Sequence, residues 1–207
     1  MTDRSIHRHW HHRGYLPHFD RPELIQSITL YLGDALPKEV IDKWRAELKL
    51  LDFKNETDNY TIELQRRIAR YGDLGRGACW LKEPFIGNLT EEALLQFDGM
   101  RYKLIAWCVM PNHLHTLIES FEGFSLGNIV KSWKSYTGNR ANRYLNRQGR
   151  FWQPDYYDRY IRDGNHFHNC IKSIENNPVK AGLCLHPEDW PWSSARRRLS
   201  AQRKLQS

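Results

Sequence analysis

The chain has 207 residues, 40% of them hydrophobic, 13% aromatic and 27% charged, enough for one sizeable core with peripheral arms. Lys and Arg outnumber Asp and Glu by 31 to 24, a net charge of +7 that favours a polyanionic partner, and the eight tryptophans and ten tyrosines add faces on which bases stack. No stretch approaches the roughly 18 apolar residues of a membrane span or shows the apolar core of a signal peptide, and Cys79, Cys108, Cys170 and Cys184 contain no Cys-x-x-Cys pair, so the expectation is a cytoplasmic protein with ordinary thiols.

Residues 1–24 read as a basic, aromatic arm in which Arg8, His12 and Arg13 are candidates for phosphate contact. Ile25 to Leu32 alternates as a first strand, closed by Gly33-Asp34. Pro37 opens a helix with Val40, Ile41, Trp44, Leu48 and Leu51 at helical spacing, and residues 57–71 continue it through Ile62, Leu64 and Ile68. Together these predict a helical hairpin inserted over about residues 38–75, of no legible function. Asn88 or Thr90 is a candidate N-cap for a helix through Phe97, and Asp98-Gly99 is a turn signal.

Tyr102–Val109 and His113–Glu119 then read as two strands joined at Pro111-Asn112. Strand side chains alternate faces, so His113 and His115 point the same way. Such a pair is either a two-point metal clamp or the polar face of a half-exposed strand, and the spacing alone leaves both readings open. Ser125 caps a helix that buries Leu126, Ile129, Val130 and Trp133 and carries Lys131, Lys134 and Arg140 around it, as a solvated face or as a phosphate track.

The segment from Gly149 to Asp163 mixes aromatic and basic residues most densely, and it supplies Arg150, Trp152, Arg159 and Arg162 as candidate nucleic-acid contacts. Core packing accounts for most of its rings, and one or two could form a stacking platform. A helix follows from Asn165 to Asn177, with His166, Cys170, Ser173 and Asn177 on one face. Lys180 follows it, residues 184–207 read as a C-terminal basic tail, and its arginine-rich end after Ser194, bearing Arg196 and Arg197, looks flexible.

Five blocks stand in a telling order: Trp107-Cys108-Val109-Met110-Pro111-Asn112-His113-Leu114-His115, Phe151-Trp152-Gln153, Tyr157-Asp158-Arg159 with Ile161-Arg162-Asp163, Ile174 through Leu183, and Trp190-Pro191-Trp192-Ser193-Ser194. In this order the chain resembles the REP-associated tyrosine transposases, IS200-like members of the single-tyrosine HUH transposases, over residues 8–195 or so. The resemblance implies an α+β fold, a ferredoxin-like antiparallel sheet with packed helices of the HUH endonuclease type. The transposase domain would span residues 25–183, between the arm and the tail. It also implies metal-dependent nicking and strand transfer of single-stranded DNA beside a REP-type (REP/BIME-like) hairpin, through a 5′-phosphotyrosine.

On that resemblance His113 and His115 match the pair that holds Mg2+ or Mn2+, and Asn177 matches the third ligand. Ser173 stands where the family has its nucleophilic tyrosine. A serine hydroxyl is several ångströms short of a phenol's reach, and its alkoxide is harder to generate near neutral pH. The chain could carry a substitution that traps an intact DNA complex, could bind without cutting, or could use Tyr156, Tyr157 or Tyr160 instead. Its expected state is a monomer or weak dimer, away from membranes and associated with the nucleoid.

Overall fold

In the computed structural model, residues 10–12, 17–19, 23–50 and 56–205 are described, with side chains over 23–50 and 60–203. The elements in order are β1 (Trp10–His12), β2 (Pro17–Phe19), β3 (Ile25–Tyr31), α1 (Lys38–Leu50), α2 (Glu56–Gly72), α3 (Pro84–Leu95), β4 (Tyr102–Val109) and β5 (His113–Ser120). They continue with α4 (Leu126–Tyr144), β6 (Tyr157–Tyr160), α5 (Gly164–Glu175), α6 (Asn177–Lys180) and α7 (Ser194–Leu205). The main sheet has four strands in the order β4-β5-β3-β6, antiparallel at every pairing, so the α+β reading with a ferredoxin-like sheet and an inserted helical hairpin holds.

Register decides which residues share a face. His113 lies opposite Tyr31 and His115 opposite Thr29, while Thr29 lies opposite Tyr157 across the next pair. Residues directly opposite in a sheet point to the same side, so His113, His115, Thr29, Tyr31 and Tyr157 share one face. The other face buries Ile28, Leu30, Leu114 and Ile118 against α3 and α4, through Ile86, Leu94, Ile129 and Trp133 among others. On the His face, α5 covers Ala106, Cys108 and Leu117 with Ile174, Phe167 and Ile171. The α1–α2 hairpin brings Leu48, Leu64 and Ile68 into the core beside Tyr31. The His pair therefore sits between two helical covers.

Three local expectations change. The third helix starts at Pro84, in the first-turn position proline favours, and not at Asn88 or Thr90. Thr90 lies inside it and donates its hydroxyl to the Ile86 carbonyl. Ile62 is 41% exposed because the buried stripe of α2 runs through Leu64 and Ile68, four apart.

The C-terminal segment is not a flexible tail. Trp192 is buried against Gly87, its indole N–H donates to Asn88 Oδ1 at 2.8 Å, and its carbonyl accepts from Val109 N at 2.9 Å. Removing that indole leaves a cavity beside α3, so Trp192→Ala should cost about 3–5 kcal/mol in urea denaturation. A change below ~0.5 kcal/mol, normal for a surface site, would return the segment to a loose tail.

Candidate active site

The strand β5 begins with two imidazoles whose environments are fully specified. His113 is 1% exposed, and its Nδ1 lies 2.7 Å from Asn112 Oδ1. Asn112 is itself buried and spends both amide hydrogens on carbonyls, those of Gly72 (3.1 Å) and Arg76 (2.9 Å). Its oxygen is thus the atom facing His113, which places the imidazole proton on Nδ1 and leaves the Nε2 lone pair free. His115 Nδ1 pairs with the Thr29 hydroxyl at 2.9 Å.

Both Nε2 atoms are sealed from solvent and have no hydrogen-bond partner. Buried polar atoms are nearly always satisfied, so two orphans side by side, on rings 4.6 Å apart, mark a place for an electrophile. Second-contact partners that fix tautomer and ring orientation are what a metal-binding histidine needs.

A third donor arrives from an unexpected element. Asp73, just past the end of α2, has its Oδ1 3.8 Å from His113 Nε2, and the donor atoms of Asp73, His113 and His115 all lie within 4.8 Å of one another. This group could hold a metal ion. Burial, then the charge of the neighbouring His115, holds His113 well below the ordinary imidazole value. Burial, then Lys180, pushes His115 down to about 4. Neutral imidazoles are the ligating form. Burial also raises the Asp73 carboxyl, with Lys180 acting the other way.

Lys180 is the cation that acts on both His115 and Asp73, and it donates to Ser173 Oγ at 3.4 Å. Ser173 is exposed, in a hollow it shares with Asn169, Lys172, Asn176, Val179 and Lys180. Asn177 is half-buried and opens α6, immediately before Pro178. Lys180 is thus the link between Ser173 and the His pair: it binds the one and acts electrostatically on His115 of the other.

Among the alternative tyrosines, Tyr156 is buried and Tyr160 is 40% exposed. Tyr157 lies on the His115 face two strands away, edge-on to Tyr31 at 5.5 Å. Burial and then the Asp155 charge push its phenol up, against the requirement for a nucleophile.

The basic candidates separate into distinct places. Lys131, Lys134 and Arg150 line one cleft of about 470 Å³ between α4 and residues 149–156. Lys134 donates to the Gln153 carbonyl at 2.6 Å and the Pro154 carbonyl at 2.8 Å, so it braces that wall; burial outweighs Asp155 and brings its ammonium down to about 8. Trp152 is not a stacking platform: it is 5% exposed and its indole N–H donates to Thr137 Oγ1 at 2.8 Å.

Arg159 is exposed and lines a smaller cleft with Ser27, Thr29, Tyr31, Gln65 and Tyr157, while Arg162 is exposed at the entry to α5. Arg196 and Arg197 are exposed on α7 and act on Glu91 of α3. Arg8, Arg13 and the side chain of His12 lie outside the described residues. The sequence reading missed Asp73, Asn112 and Thr29. Only Asn112, beside His113 in the turn, carried a local signal.

With this geometry in place, the comparisons are specific. The family described as "Transposase IS200 like" matches residues 90–177, which hold β4, β5, α4, β6 and α5. The REP-associated tyrosine transposase of Escherichia coli is 29% identical over 139 residues, 59% of this chain and 79% of that one. Its Haemophilus influenzae counterpart is 27% identical over 114 residues, 49% of this chain, and the match spans 63% of that protein's length. A solved REP-associated tyrosine transposase bound to a REP hairpin has the same fold, at a TM-score of 0.59 and 15% identity, covering 90% of this chain and 86% of that one.

Residues 90–177 match the IS200-like transposase family, and over 49–59% of its length the chain is similar to REP-associated tyrosine transposases. Among its described residues no helix is long and apolar enough to cross a membrane.

The site makes a pH prediction. Both histidines have folded-state pKa values below the ordinary 6.5, so the unfolded chain takes up protons first as pH falls. Their contribution is fully present above pH 6.5 and is lost as pH falls from there towards about 4 for His115. The slope approaches ~1.4 kcal/mol per pH unit for each histidine. Urea denaturation of metal-free protein at pH 7, 6 and 5 should show this decline, and His115→Gln should make it shallower. An unchanged slope in the variant would rule out His115 as a source.

Proposed function

We propose that this chain recognises single-stranded DNA beside a REP-type hairpin, and that His113, His115 and Asn177 are the ligands that present Mg2+ or Mn2+ to a phosphate of that strand. The two buried, unpartnered Nε2 atoms carry this reading, because no protein group satisfies them and a divalent cation would. Bound there, the ion would offset the charge that gathers on phosphate oxygens during strand nicking and transfer. The family and the hairpin-bound relative support DNA as the partner.

The chain's own residues divide the remaining work. Lys180, the last residue of α6, acts electrostatically on His115 and Asp73 and would pair with a phosphate oxygen. Lys131, Arg150, Arg159 and Arg162, exposed at two clefts and a helix entry, would follow the phosphate backbone, as would Arg8, His12, Arg13, Arg196 and Arg197. Ser173 occupies the nucleophile position of the family, but its hydroxyl is short and already accepts from Lys180. The chain as it stands is therefore a hairpin-binding member that cleaves poorly.

A denaturing gel of labelled hairpin DNA with Mn2+ tests this. The chain should give no covalent protein–DNA band, and Ser173→Tyr should give one. Covalent product from both would move the nucleophile elsewhere; binding by both without any product would favour a silent DNA-binding protein derived from a transposase. His113→Ala with His115→Ala should abolish metal-dependent product while changing hairpin affinity by no more than about threefold, since backbone contacts dominate binding. A hundredfold loss of affinity would instead make the ion an organiser of the DNA site.

A further inference from the structure

We infer that Asp73 is a ligand of the same ion as His113 and His115, so that the end of the helical insertion completes the metal centre. This deepens the proposed function and rests on its reading of the His pair.

A divalent ion with bonds of about 2.0–2.2 Å holds neighbouring donors about 3 Å apart and opposite donors about 4.2 Å apart. The three donor atoms already lie within 4.8 Å of one another, and Asp73 Oδ1 is 3.8 Å from His113 Nε2, so rotation of one short side chain closes the set. Two neutral imidazoles leave the ion's full double charge uncompensated. A carboxylate halves it, and hard cations take oxygen donors. Asp73 is 52% exposed, so one side of the group stays open to water or a phosphate oxygen.

The backbone carrying Asp73 is also pinned where a ligand needs to be. Gly72 lies flat on the ring of Tyr31, so near that a Cβ there would be 2.3 Å from Cε1. The Gly72 and Arg76 carbonyls, on either side of Asp73, accept both amide hydrogens of Asn112. Further on, Ala78 N donates to Asp34 Oδ2 at 2.8 Å.

The same Asn112 whose nitrogen holds the Asp73 loop uses its oxygen to set the tautomer of His113. One buried amide thus orients an imidazole and the segment bearing the carboxylate together, which is the supporting shell of a preorganised site. An exposed acidic residue with only a surface role has no need of such bracing.

Isothermal titration calorimetry with Mn2+, on the full chain without DNA, tests the assignment. Asp73→Ala should weaken Mn2+ binding at least about tenfold, as losing a ligand should cost no less than losing an outer partner. Asp73→Glu should recover part of that loss, while metal-free melting temperatures stay close to that of the parent. Parent-like Mn2+ affinity in Asp73→Ala overturns the inference. Parent-like affinity in His113→Ala with His115→Ala overturns the His-pair reading itself, so the two failures are distinguishable.

Discussion

Three hydrogen bonds made by Asn112 hold together parts of the chain that are far apart in sequence. Its amide is fixed at the mouth of the β4–β5 hairpin, holds the C-terminal end of α2 and the loop after it on one side, and aligns His113 on the other. The strand register then does the rest, since His115, Thr29 and Tyr31 follow from their places in the ladder. A sheet of only four strands becomes a platform whose reactive face is shaped by what is laid over it: α2 on one flank, α5 and α6 on the other.

The electrostatics of that platform favour a neutral, ligand-ready imidazole pair over a charged one. Desolvation does most of this, with His115 adding to it at His113 and Lys180 adding to it at His115. Beside this pair, Ser173 presents a short hydroxyl on the exposed side of α5, already accepting a hydrogen bond from Lys180.

Legibility tracked the range of the interaction. The face shared by His113 and His115 followed from a period of two, and Ser125 as a cap followed from one residue and its neighbours: its hydroxyl accepts from Asn128 N. Choices among several plausible local signals went astray where tertiary packing decided. Thr90 is a good cap residue, yet Pro84 starts the helix; Trp152 sits among arginines, yet its ring is needed in the core beneath α4. Asp73 was beyond reach altogether. It lies 40 positions before His113, at the end of a charged helix, and only the fold of the insertion onto β3 brings the two together.

The C-terminal segment has a consequence for the sheet as a whole. β4 is an edge strand, and an open edge invites pairing with another chain. Here Trp192 takes the Val109 N–H, the Trp190 indole takes the Val109 carbonyl, and Ser194 Oγ lies within hydrogen-bonding distance of both backbone groups of Trp107. Outward-facing groups that would template a foreign strand are thus consumed by the chain's own end. The Trp-Pro-Trp-Ser-Ser run acts as a stopper for the sheet, which leaves the His-bearing face open without an adhesive edge on this flank.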